Sequence, residues 1–115
     1  MASEGLRVDF DGRGVLRLSG PLTAENLPFF QNAVRRDDSA VLFLDLSGVP
    51  YIDSGGLGSL VSAYVRLSKA GRRMILAGVT PRVLKLLEIS RVEQLFLIFP
   101  DLHAAIEALT TSGTA

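Results

Sequence analysis

Five consecutive apolar residues, Ala40-Val41-Leu42-Phe43-Leu44, stand near the middle of the chain. A strand with one wet face alternates apolar with polar side chains. A run without alternation needs cover on both faces, the condition of a central strand in a parallel sheet. Such a sheet needs helices packed on it, and the flanking segments supply them.

Leu6 to Phe10 alternates at the period of a half-buried strand. Asp11-Gly12-Arg13-Gly14 has turn chemistry, so Val15 to Leu18 reads as the return strand of a hairpin that ends at Gly20-Pro21. A helix follows from about Leu27, with Thr23 or Asn26 as candidate caps and Pro28 in its first turn. Phe29, Phe30, Ala33 and Val34 share one side of it, and Arg35-Arg36 suit its C-terminal dipole. Beyond the central strand, Val49 to Ser54 reads as a loop. The next helix places Leu57, Leu60, Val61, Tyr64, Val65 and Leu67 inward and Ser59, Ser62, Arg66 and Lys69 outward, and it ends at Gly71. Met74 to Ala77 is a short strand. Thr80-Pro81 starts a helix with Val83, Leu84 and Leu87 buried. Leu95 to Phe99 is the last strand. Asp101 caps a helix through Leu109, and residues 110–115 read as a disordered polar tail. The expected fold is α/β: one domain over 1–115, its core at about 6–109, with a mixed, mostly parallel sheet, an N-terminal hairpin and about four helices. Functional loops then belong at the C-terminal strand ends.

Of the 115 residues, twelve are basic and twelve acidic. They cancel without a basic stripe, which disfavours a nucleic-acid partner. The absence of cysteine removes disulfides, zinc-thiolate sites and thiol chemistry. The opening Met-Ala-Ser-Glu-Gly lacks the regions of a signal peptide, and no apolar run approaches the ~20 residues of a membrane helix. A cytoplasmic location is expected.

Chemistry concentrates in Val49-Pro50-Tyr51-Ile52-Asp53-Ser54-Gly55-Gly56-Leu57-Gly58, which follows the most buried strand and opens the most amphipathic helix. Ser54 occupies the expected N-cap position, where its hydroxyl can bond a free backbone N–H. Each interior helical glycine costs about 1 kcal/mol relative to alanine. Gly55, Gly56 and Gly58 together imply that another surface approaches this backbone. The plain alternative is a cap followed by a tight turn. A phosphoryl group on Ser54 would meet the positive end of the helix. Beside Asp53, its charge of about −1.5 to −2 would make a sharply anionic spot that repels a docked partner.

Ile52-Asp53-Ser54-Gly55-Gly56-Leu57-Gly58 resembles the D-S-[SG]-G-L-G signature of STAS domains, the fold of bacterial anti-sigma factor antagonists. Leu18 to Leu22 and Gly71 to Val83 are similar to the family's second strand end and its later strand and helix start. The resemblance spans nearly all of residues 6 to 109. It implies that an anti-sigma factor with ATP-dependent serine kinase activity phosphorylates Ser54. It also implies that the unmodified chain binds that factor, that the phosphorylated chain does not, and that a phosphoserine phosphatase resets the switch. Asp53, Ser54, Gly55, Gly56, Leu57 and Gly58 would form the docking surface, with no catalytic residue, metal or cofactor. Family members commonly carry acidic residues after the second strand, where this chain has Pro21-Leu22-Thr23.

Other chemistries fit less well. A serine hydrolase elbow would need glycine at Ile52 and a base beside Ser54, and the only histidine, His103, reads as a surface residue of the last helix. No P-loop or complete dinucleotide loop is present. A phospho-receiver fails because a hairpin, not a helix, follows the first strand, and Leu95 to Phe99 contains no lysine. Leu86, Ile89 and Tyr51 are either core edge or contact residues. The remaining alternative within the resemblance is an accessory subunit of a phospholipid-transport ABC system, docked on its ATPase.

Overall fold

The computed structural model describes residues 5–113. Strands β1 (Arg7–Phe10), β2 (Val15–Ser19), β3 (Val41–Gly48), β4 (Arg73–Ala77) and β5 (Leu97–Phe99) lie side by side in chain order. β1 is antiparallel to β2, and every other neighbouring pair is parallel. Helices α1 (Leu27–Arg36), α2 (Ser54–Lys69) and α3 (Pro81–Ile89) make the crossovers, and α4 (Leu102–Gly113) follows β5.

The central run behaves as its composition requires. Leu42, Leu44 and Leu46 point to one face and are fully buried under α1, α2 and α3. Burying each is worth about 1.5–3 kcal/mol. The register carries the layer sideways, with Leu16 beside Leu44 and Leu44 beside Leu76. Val41 and Phe43 point the other way and pack with Ile75, Ala77 and Ala105 beneath α4. This second layer stops short of the sheet's β1 edge, where Arg7, Asp9 and Arg17 are exposed.

The start of α3 is as expected: Thr80 Oγ1 accepts from the Val83 N–H at 3.4 Å, with Pro81 next in the chain. Gly71, at φ +74°, closes α2 with the Arg72 N–H on the Leu67 carbonyl at 2.8 Å. Four expectations need correction. The central strand runs to Gly48. The last strand begins only at Leu97, because Glu93–Leu95 wind into a 3-10 turn that buries Phe96. α4 continues past Leu109 to Gly113, and positions 114 and 115 of the expected tail lie outside the described residues. The inner face of α2 is rotated: Ser59 is buried and Val65 is 40% exposed. Phe30 and Val34 of α1 approach Ser59 and Ala63, whose small side chains admit that helix.

At the N-terminal ends of the strands, Asp37 is buried and fully engaged. Its Oδ2 accepts from Arg72 Nη2 at 2.7 Å and its Oδ1 from Ser39 Oγ at 2.7 Å. Arg72 also donates to the Asp37 and Ser39 carbonyls. The loop before β3 is thereby locked to the loop before β4. Truncating one partner strands the other's charge, a loss of 3–5 kcal/mol in fully buried pairs. Arg72 retains some solvent contact, so Arg72→Ala is expected to lower unfolding stability by about 3 kcal/mol in urea titrations. Arg72→Lys recovers only part of this, because an ammonium cannot reproduce the forked contacts.

Candidate functional site

The loops after β2, β3 and β4 meet at the C-terminal edge of the sheet. Leu22 forms an isolated parallel bridge with Ile52. The Leu22 N–H donates to the Tyr51 carbonyl at 3.2 Å, and the Asp53 N–H donates to the Leu22 carbonyl at 3.3 Å. On the other side, Thr80 Oγ1 donates to the Val49 carbonyl at 3.3 Å. The segment leading into α2 is therefore held from both flanks before the helix begins.

The cap of α2 is Asp53, not Ser54. Asp53 has extended backbone (φ −103°, ψ −174°), and its Oδ1 accepts from the Gly56 N–H at 2.8 Å. Its Oδ2 accepts from the Ala24 N–H at 3.2 Å, which ties the loop after β2 to the same carboxylate. An ionised carboxylate can accept on both oxygens at once, which a single hydroxyl at this position would not match. The bond from Gly56, followed by that from Ala24, holds the Asp53 carboxyl below its ordinary pKa of 3.8. Ser54 becomes the first residue of the helix and is exposed.

The glycines separate into two roles. A Cβ on Gly56 would fall on the Leu22 carbonyl, and one on Gly55 would stand 2.9 Å from the Ala24 Cβ. The surface that approaches these two is thus the chain's own loop after β2. Gly56 is buried beneath it. Gly58 is exposed, with nothing within 4 Å of its would-be side chain. Leu57 is half-buried.

The residues the sequence brought together, Asp53 to Gly58, do share one helix tip. A neighbouring feature was only partly legible. Tyr51 is 39% exposed, and the Arg82 guanidinium lies over its ring, 5.1 Å from the centroid. Together with Ile52, Lys85, Leu86 and Ile89 they line an open groove between the loop after β3 and α3. Ile89 is 69% exposed, too open for a core residue. Spacing along α3 raised Leu86 and Ile89 as candidates, but the stacked Arg82 has no signal in the sequence. His103 is exposed, with Glu107 one turn away at 3.9 Å. Asp45 accepts from the Ser47 N–H at 3.0 Å and stands 3.7 Å from Arg17. No group of acidic or histidine side chains suited to a metal occurs among the described residues.

Asp53→Ala should cost about 1–2 kcal/mol of unfolding stability, and Asp53→Asn less, because one side-chain acceptor remains. Because folding lowers the Asp53 pKa, its stabilisation is complete above pH 3.8 and disappears as pH falls through the folded-state value. Acid titration by circular dichroism should therefore show a shallower loss for Asp53→Asn than for the parent. Gly56→Ala should destabilise markedly by its clash with Leu22. Gly58→Ala, in open space, should stabilise by up to about 1 kcal/mol.

Comparison with known proteins agrees with this arrangement. The STAS domain family model matches residues 7–105. An anti-sigma F factor antagonist from Paenibacillus polymyxa is 33% identical over 104 residues, covering 85% of this chain and 86% of that protein. Among solved structures, an anti-sigma factor antagonist from Mycobacterium paratuberculosis superposes with a TM-score of 0.76 at 24% identity, covering 94% of this chain and 97% of the other. The phosphorylated form of the Bacillus cell fate determinant SpoIIAA gives 0.66 at 15% identity, covering 90% and 98%. The family model matched over residues 7–105 and the relative at 33% identity, covered over most of both chains, give the conclusion: the chain belongs to the STAS domain family.

Proposed function

We propose that this chain is an anti-sigma factor antagonist, a non-enzymatic binding module gated by phosphorylation of Ser54. One observation carries the proposal: Asp53 does the capping, so the Ser54 hydroxyl is exposed and has no structural duty in the first turn of α2. A kinase can esterify it without dismantling the fold. The resulting phosphate sits at the positive end of a helix, beside a carboxylate kept ionised by its own hydrogen bonds.

The docking surface combines Ser54, the exposed backbone at Gly58 and the half-buried Leu57, with Asp53, Gly55 and Gly56 forming the rigid base beneath them. The groove at Tyr51, Leu86 and Ile89 extends it with apolar area. The partner is an anti-sigma factor that is also a serine kinase, and a phosphoserine phosphatase reverses the reaction. Similarity to an anti-sigma F factor antagonist supports the partner class, and SpoIIAA, of the same fold, exists in a phosphorylated form. No described helix is long and apolar enough to cross a membrane. Once Ser54 is modified, a partner seated on this tip would have to desolvate about −1.5 to −2 added charges beside the Asp53 carboxylate, a cost the helix end offsets only in part, and this ejects it.

Calorimetric titration against the cognate anti-sigma factor tests the reading. Ser54→Ala should bind like the parent and resist phosphorylation by that kinase in the presence of ATP. Ser54→Asp should bind roughly 100-fold more weakly, a difference of about 2.7 kcal/mol. Equal affinity of the two variants would refute the gate. Tight docking on a transport ATPase, indifferent to both substitutions, would replace it with the accessory-subunit role.

A further inference from the structure

β1 forms one edge of the sheet and, among the described residues, pairs only with β2. In an antiparallel ladder, alternate residues direct both backbone groups to one neighbour. The Asp11 N–H donates to the Val15 carbonyl at 3.2 Å, which continues the register that sets Asp9 opposite Arg17 and Arg7 opposite Ser19. The odd-numbered residues therefore turn their N–H and C=O toward β2. Those of Val8 and Phe10 turn toward the open edge. No proline or bulge interrupts β1, so the edge is a usable template for another strand.

The side chains limit which strand fits. Arg7 and Asp9 are exposed on the sheet face that α4 leaves uncovered, while Val8 and Phe10 are half-buried on the face of α1. An open groove of about 460 Å³ runs along this edge between β1 and α1. Val8, Phe10, Phe29 and Ala33 supply its apolar lining, and Phe29 is 40% exposed.

From this pattern we infer that β1 pairs antiparallel with β1 of a second copy of the chain, about a two-fold axis at Val8. Only an even-numbered alignment keeps the apolar face of both strands on the same side. With Val8 opposite Val8 of the second copy, the two residues exchange both backbone hydrogen bonds. Arg7 then faces Asp9 of the second copy, and Asp9 faces Arg7 of the second copy, giving two identical ion pairs on the open face. Opposite charges at directly opposed positions favour pairing, and like charges disfavour it. Centring the axis on Asp9 would oppose two carboxylates, on Arg7 two guanidiniums, and on Phe10 would set Asp9 against Asp11. The charge order of β1 thus selects the Val8 register, and the contact is self-complementary, as a two-fold interface must be. Both copies of α1 fall on the same face of the joined sheet, so the two grooves meet along one seam. The Ser54 tips, carried by strands that now run in opposite directions, lie at opposite ends and remain accessible.

The contact is short, so association is weak and concentration-dependent. Sedimentation equilibrium of the full chain up to about 1 mM should show the mass rising toward that of a dimer. Arg7→Asp and Asp9→Arg should each weaken the dimer at least about tenfold, and the double variant carrying both should restore it. Val8→Pro removes an N–H that the sheet's own pairing does not use, so it should abolish the dimer while thermal melting stays close to the parent's. A monomer at every concentration would overturn the inference. So would a dimer untouched by the single charge reversals and by Val8→Pro, or a double variant that stays monomeric. Should Val8→Pro fail to fold, the charge-swap series decides alone.

Discussion

One carboxylate organises the functional end of this molecule. Asp53 accepts from the first turn of α2 with one oxygen and from the loop after β2 with the other. Leu22 and Ala24 are thereby pressed onto the helix start, and glycine is the residue that fits at Gly55 and Gly56. Because the aspartate satisfies these donors, the neighbouring hydroxyl is free of them. A residue fully committed to structure stands beside one with no structural commitment. Under the proposed function, that division of labour would let a covalent modification of Ser54 act on recognition while leaving the fold in place.

The two ends of the sheet are held by different means. At the N-terminal ends of the strands, the partly buried Arg72 and the buried Asp37 form a hydrogen-bonded lock between consecutive loops. At the C-terminal ends, the loops are joined by backbone bonds and by exposed or half-exposed side chains. Between them, the leucine layer of β3 anchors three helices. The lock belongs to stability. The more solvated end holds the proposed docking surface, where the helices of a parallel sheet begin with their positive poles outward.

Much of this was legible in the sequence, for identifiable reasons. The unbroken apolar run at Ala40 to Leu44 demanded a two-sided strand, and the Thr80-Pro81 pair specified a helix start in two residues. What escaped depended on competition or on distance. Asp53 and Ser54 are adjacent and both are good caps, so only the backbone geometry decides between them. Ser59 reads as a surface residue until α1 is seen lying across it. Leu95 and Phe96 continue an apolar run whose periodicity cannot separate a 3-10 turn from the strand that follows. The Arg72–Asp37 lock spans 35 positions and leaves no local pattern. Gly55 and Gly56 do mark a close approach, though by the chain's own loop after β2, whereas Gly58 stands in open space.

A phosphate on Ser54 is proposed to change binding and leave the fold intact. The most direct measurement uses chain carrying phosphoserine at position 54 in full stoichiometry, compared with unmodified chain in parallel thermal melts and in binding to the anti-sigma partner. The account predicts closely matching melting curves and loss of binding by the modified form alone. A collapsed melting transition would show that the hydroxyl is structural after all, and retained binding would show that it lies outside the contact; either result contradicts the account.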